Sequence, residues 1–193
     1  MCAVNILGIS GSPKKKGFTN LLLDESLEGA RAAGARTSKI ILNDLNIKPC
    51  QECGGCDSDG TCVINDDMKA VYEQIKDADR FIVASPIYYG TVTAQLKAMI
   101  DRCHSLWVKK YVLKKSIAAQ DDRKGVFICV AGKDSKEYLE NARKTIKIFF
   151  VTLDIKYADD LFVGGLNEMP ENSPKKKEAL VKAYELGLSL VKV

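Results

Sequence analysis

The sequence predicts an α/β fold: five parallel strands in one doubly wound sheet, with helices on both faces. Three observations carry that expectation. Short, nearly continuous apolar runs recur at residues 3–9, 37–42, 80–84, 125–131 and 155–164, the mark of strands buried on both sides. Stretches with apolar residues at helical spacing separate these runs, and that alternation calls for a parallel sheet. No internal repeat, linker or low-complexity segment breaks it, so the 193 residues are expected to form one domain, 1–193.

The elements follow in order. Residues 3–9, Ala-Val-Asn-Ile-Leu-Gly-Ile, make the first strand, and Ser10 to Gly17 a loop with two glycines and a proline. From Thr19 onward Leu23, Leu27 and Ala30 share one helical face, and Gly34 marks the stop. The second strand, 37–42, leads into a connection over 43–65, far longer than the two to six residues usual between strand and helix. Asp66 and Asp67 are expected to cap a helix with Met68, Val71, Tyr72 and Ile75 on one side. After the third strand and the loop Ser85 to Gly90, a helix carries Val92, Leu96, Met99, Ile100, Cys103 and Trp107 along one face. Residues 108–124 are basic and irregular and receive no assignment. Gly132 to Ser135 follows the fourth strand and leads into a helix with Leu139, Ala142, Ile146 and Phe149 inward. The fifth strand comes next. Pro174 then opens a last helix with Leu180, Tyr184, Gly187 and Val191 on one face. Five such strands fit the flavodoxin-like order 2-1-3-4-5, in which ligands sit at the carboxyl ends of the strands near the switch between strands 1 and 3.

The long connection holds Cys50, Cys53, Cys56 and Cys62, four of the chain's seven cysteines, spaced C-x2-C-x2-C-x5-C. Disulfides, zinc and an iron–sulfur cluster are the three chemistries to weigh. No signal peptide is visible, and neighbours at x2 make poor bridge partners. Structural zinc favours two well-separated pairs. Successive x2 gaps let one turning backbone present thiolates to several irons, and Gly60 in the x5 gap gives Cys62 slack to return to the same cluster. Cys103 and Cys129 read as small core residues, and His104, the only histidine, as structural.

Ser10 to Asn20 is neither an ATP loop nor a dinucleotide fingerprint. It does hold what a phosphomonoester needs: the hydroxyls of Ser10, Ser12 and Thr19, two glycines and a helix N-terminus. The plain alternative is a polar turn with Thr19 as helix cap. Pro86, Ile87, Tyr88, Tyr89 and Gly90 place aromatic and apolar groups on the same rim, walls suited to a flat ring. Ala131 and Gly132, after the fourth strand, would close the other side.

Net charge is +4 and hydrophobic content 46%. No aromatic–basic interleaving suggests a nucleic-acid groove. No apolar run approaches the ~20 residues a membrane span needs. A cytoplasmic protein is expected.

These motifs together carry a resemblance. Ser10-Gly-Ser-Pro-Lys with Gly17-Phe-Thr-Asn20, Pro49-Cys-x-x-Cys-Gly-x-Cys with Cys62, Asp66-Asp67-Met68, Ser85-Pro-Ile-Tyr-Tyr-Gly90, and Lys97 with Asp101-Arg102 resemble the NAD(P)H-dependent FMN reductase superfamily. More narrowly, they are similar to the iron–sulfur flavoproteins of anaerobic archaea and bacteria. The resemblance implies FMN phosphate binding by Ser10, Ser12, Pro13, Lys14, Thr19 and Asn20, with Phe18 contributing its backbone N–H where many relatives carry Asn. It implies a flavin ring lined by Pro86, Ile87, Tyr88, Tyr89 and Gly90, with Ala131 and Gly132 opposite, and one [4Fe–4S] cluster on Cys50, Cys53, Cys56 and Cys62. It implies a homodimer or homotetramer that exchanges electrons with a small redox protein such as ferredoxin or with a small-molecule acceptor. The rival reading is an NAD(P)H-dependent FMN or quinone reductase whose cysteines bind zinc or stay free.

Overall fold

The computed structural model describes residues 3–192; Met1, Cys2 and Val193 lie outside the described residues. Five strands, β1 (Asn5–Ser10), β2 (Arg36–Ile41), β3 (Arg80–Pro86), β4 (Arg123–Val130) and β5 (Ile155–Val163), pair in parallel in the order β2-β1-β3-β4-β5. This is the flavodoxin-like arrangement expected above. The helices are α1 (Phe18–Ala32), α2 (Met68–Asp77), α3 (Ala94–Arg102), α4 (His104–Trp107), α5 (Lys136–Thr152) and α6 (Pro174–Lys192). A π-helical turn, Val108–Val112, continues α4. Among the described residues no helix is long and apolar enough to cross a membrane.

Side chains alternate across each strand, so the sheet builds two cores. Leu7, Ile9, Phe81, Val83 and Phe127 point to the side covered by α2, α3 and α5, through residues such as Val71, Ile75, Met99, Ile146 and Phe149. Ile6, Ile82, Ala84, Val126 and Ile128 point to the other, covered by Leu23 and Leu27 of α1 and by Ala183 and Leu190 of α6. Burying each of the larger side chains stabilises the fold by roughly 1.5–3 kcal/mol.

Two expectations need correction. The inward stripe of α6 is Ala179, Ala183, Leu186, Gly187 and Leu190, while Tyr184 is 37% exposed. Small residues face α1 because the two backbones touch. A Cβ on Gly187 would lie 1.7 Å from the Ser26 carbonyl oxygen, and one on Gly29 2.0 Å from that of Tyr184. Trp107 is 41% exposed rather than inward. The chain leaves its α3 course at Cys103, and the Trp107 indole stacks on His104 with ring centroids 5.5 Å apart.

At the opposite end of the sheet from the carboxyl rim, buried Arg123 acts as a clamp. Its guanidinium donates to the carbonyls of Ala78 (3.1 Å), Leu153 (2.8 Å) and Ile75, and lies over the Phe81 ring. A positive charge there meets the carbonyl ends of α2 and α5, where helix dipoles favour it. Burial lowers its pKa to about 10, still charged at neutral pH.

Candidate functional site

The carboxyl ends of β1 and β3 lie side by side, with Ser10 opposite Ala84. The chain leaves β1 in a curled loop. The Ser12 amide donates to Ser10 Oγ (3.2 Å), the Lys14 amide to Ser12 Oγ (3.2 Å) and the Gly17 amide to the Lys14 carbonyl (3.0 Å). Ser10, Ser12, Thr19 and Asn20 are buried, while Lys14 is exposed and Pro13 and Phe18 are half-buried. Asn20 Nδ2 braces the loop by donating to the Lys14 carbonyl (2.9 Å). Its Oδ1 is buried without a partner among the described residues. The cap of α1 is Gly17, not Thr19, and no side chain caps it. Helix geometry leaves the Phe18 and Thr19 N–H groups without intrahelical partners. The result is a curled loop of hydroxyls and N–H groups at the positive end of a helix, an arrangement that could hold a phosphate.

Thr93 couples this loop to the one after β3. Its Oγ1 donates to the Gly11 carbonyl (2.6 Å), and its amide donates to Ser85 Oγ (3.3 Å). Beyond Ser85 the chain makes a tight turn. Tyr88 and Thr91 exchange backbone hydrogen bonds of 3.0 and 3.2 Å. Tyr89 (φ 49°) and Gly90 (φ 80°) occupy the left-handed region, as a type I′ turn requires. Tyr89 stands fully in solvent.

Ile87, Tyr89, Gly90, Ala131, Gly132, Lys133 and Tyr138 line a cavity of about 460 Å³, a size suited to a cofactor ring. Five of the seven expected ring-lining residues thus share one cavity. Tyr88 does not line it, and Pro86 ends β3 opposite Val130. Gly132 has a structural duty as well, since a Cβ there would meet the Asn167 side chain at 2.6 Å.

The cysteine loop leaves β2 beside the phosphate-type loop, and Lys15 bridges to Asp44 at its start (2.8 Å). Left-handed backbone at Glu52, Gly54 and Gly60 turns the chain back on itself. Cys50, Cys53, Cys56 and Cys62 all line one cavity of about 290 Å³, with Arg102, His104 and Ser105 on its wall. Among the described residues no three His, Cys, Asp or Glu side chains converge as a single-ion site. Burial, then the Asp57 charge, pushes the Cys56 thiol above its ordinary pKa.

Asp66 and Arg102 close the loop. Asp66 Oδ1 accepts from the Met68 amide (3.1 Å) at the start of α2, whereas Asp67, at the cap position, makes no side-chain cap and instead accepts from the Asn46 amide (2.7 Å). Asp66 also meets the Arg102 guanidinium at 2.6 and 3.1 Å and accepts from the Lys48 amide (2.9 Å). Burial alone would raise the Asp66 pKa; Arg102 and the two backbone donors outweigh it and hold the carboxyl below its usual range. Burial likewise opposes charge on Arg102, and Asp66, then Cys62, overcome it. Tyr72 donates to the Arg102 carbonyl (2.6 Å) and fixes the end of α3.

Sequence reasoning left Asp101-Arg102 open between an ion pair and an interface; Asp101 pairs with Lys97 and Arg102 with Asp66. Thr93, Tyr138 and the pairing of Arg102 escaped it, because each acts across a separation that no local pattern encodes.

Residues 4–163 match the family described as NADPH-dependent FMN reductase. An iron–sulfur flavoprotein of Methanosarcina thermophila is 40% identical over 116 residues, 60% of this chain and 61% of that one. An iron–sulfur flavoprotein of Methanocaldococcus jannaschii is 41% identical over 103 residues, 53% of each chain. The chain thus spans about half to three fifths of these curated relatives. A second M. jannaschii iron–sulfur flavoprotein is 34% identical over 150 residues, 77% of this chain and 71% of that one. Among solved structures, a NAD(P)H:quinone oxidoreductase from Methanothermobacter marburgensis has a TM-score of 0.78 at 21% identity, covering 98% of this chain and 96% of that one. That likeness is one of fold. The match over residues 4–163, with relatives of one kind beside it, makes the chain a member of the NADPH-dependent FMN reductase family on its iron–sulfur flavoprotein side.

Proposed function

We propose that the chain is an electron-transfer oxidoreductase that binds FMN and one [4Fe–4S] cluster, and that it exchanges electrons between flavin and cluster and between two-electron and one-electron partners. The observation that carries this reading is that Cys50, Cys53, Cys56 and Cys62 all line one cavity, on the connection that follows β2. A tetrahedral zinc site needs four ligands at about 2.0–2.3 Å from one point. A cubane takes one thiolate per iron, so its ligands surround a volume.

The residues present also suit FMN. Ser10, Ser12, Thr19 and the Phe18 N–H offer donors to a phosphate, and Asn20 braces the loop that presents them. Ile87, Tyr89 and Gly90 would wall one side of the ring, and Ala131 and Gly132 the other. When bound, FMN supplies two-electron chemistry in one-electron steps and the cluster supplies one-electron chemistry. The chain itself contributes position and potential, and no side-chain acid or base is assigned to the electron steps.

A small redox protein such as ferredoxin, or a small-molecule acceptor, is the proposed partner. A homodimer or homotetramer in the cytoplasm is the proposed setting. Reductive titration of the anoxically purified protein tests the pairing of cofactors. The reading expects uptake of about three electrons per chain, two by FMN and one by the cluster. Uptake of about two, with a flavin spectrum alone, would overturn the cluster and favour the FMN or quinone reductase reading.

A further inference from the structure

Arg102 is the most deeply buried charge at the wall of the cysteine cavity. Its side chain is 0% exposed and that of Asp66 1%. An arginine has five N–H donors. Four are accounted for on protein oxygens. Nη1 donates to Asp66 Oδ2 (2.6 Å) and the Lys48 carbonyl (2.9 Å), and Nη2 to Asp66 Oδ1 (3.1 Å) and the Ile64 carbonyl (3.5 Å). The fifth, on Nε, is buried and has no partner among the described residues.

A buried N–H without an acceptor is costly, and native structures rarely leave one so. The same guanidinium borders the cavity that all four cysteines line. Beside the oxygens of Gln51, Glu52, Asp57 and Ser105, the acceptors in prospect there are the thiolates and, resting on the cluster reading above, the sulfides between them. After Asp66, Cys62 is the residue that most favours the charged guanidinium of Arg102.

We propose that Arg102 is a potential-setting donor, whose Nε–H is reserved for a sulfur at the Cys62 corner of the cluster. A hydrogen bond to a cluster sulfur offsets negative charge, and more so in the reduced state, so it raises the reduction potential. The four bonds to oxygen hold the guanidinium plane still, and that makes the fifth donor directional. Arg102 thereby joins two roles: it pins Lys48, Ile64 and Asp66 on both flanks of the cysteine run, and it tunes what the run holds.

The test uses the native chain and Arg102→Lys, purified anoxically with iron and sulfide counted. Lysine keeps a positive charge for Asp66 and removes the Nε donor. In cluster-loaded Arg102→Lys, the one-electron reduction equilibrium should fall about tenfold, a potential lower by about 59 mV. An unchanged potential in the loaded variant overturns the proposal. Pulsed electron paramagnetic resonance on the reduced native protein, labelled with ¹⁵N-arginine, decides the matter where the variant fails to load. A nitrogen coupling from one arginine is expected, and its absence in a loaded native protein overturns the proposal. A native protein without iron and sulfide overturns this inference and the cluster reading together, whereas a loaded one lacking the coupling overturns only the role of Arg102.

Discussion

Arg102 and Asp66 form a two-point ion pair at 2.6 and 3.1 Å, with both side chains almost wholly out of solvent. One partner ends α3 and the other precedes α2, and the cysteine run lies between Lys48 and Ile64, whose carbonyls Arg102 also binds. Removing either side leaves an uncompensated buried charge or unpaired donors.

Asp66→Ala should destabilise the fold by about 3–5 kcal/mol, the usual cost of breaking a buried pair from one side. Urea unfolding measures it. Iron should be lost before FMN, because the flanks of the cysteine run come free while the phosphate-type loop keeps its own bonds. A loss below about 1 kcal/mol would place this pair with solvent-exposed ones.

The same pair sets an acid limit. The folded Asp66 pKa is depressed, so its contribution is complete above the unfolded value of about 3.9 and is lost as pH falls through the folded value. Asp160, held low against its own burial by Arg143 at 2.8 Å and by the Tyr157 hydroxyl, behaves alike. The melting temperature should therefore fall as pH drops below about 4, and Asp160→Asn should flatten that fall. Melting curves from pH 7 to pH 3 check this; parallel curves for the two proteins would contradict it.

Cys53→Ala should abolish the cluster and leave FMN in place, because among the described residues no cysteine lines the cavity beneath the β3 and β4 loops. Metal analysis and flavin fluorescence read the two separately. Loss of FMN as well would show that the cysteine loop builds the flavin pocket.

Asn20→Leu should weaken FMN binding about tenfold or more, the worth of one polar contact of roughly 1–3 kcal/mol, with iron content unchanged. Fluorescence titration measures it. Gly187→Ala provides the opposite control. It forces apart two helix backbones and should cost about 1–3 kcal/mol of stability while a folded sample keeps its cofactor ratio.

The strand runs and their order were legible because a buried parallel strand is nearly continuous in apolar residues, and Leu7, Ile9, Phe81 and Phe127 show that plainly. The cysteine spacing and the Ser10 to Asn20 loop were legible for a related reason: their chemistry is local. What local pattern cannot show is which side chain crosses the fold to meet it. Arg102 reaches Asp66 across 36 positions and Thr93 reaches Gly11 across 82. The α6 face was misjudged because a close helix crossing selects Ala183 and Gly187, while periodicity weighs large residues such as Tyr184. Trp107 was misplaced because the turn at Cys103 resets the helical phase.

The central claim is that one chain holds FMN and a four-iron cluster. The ultraviolet–visible spectrum of the anoxically purified native protein, with iron, acid-labile sulfide and FMN counted on the same sample, tests it most directly. The account predicts a brown protein with about four iron, about four sulfide and about one FMN per chain. A yellow, iron-free protein carrying zinc on its cysteines would contradict it.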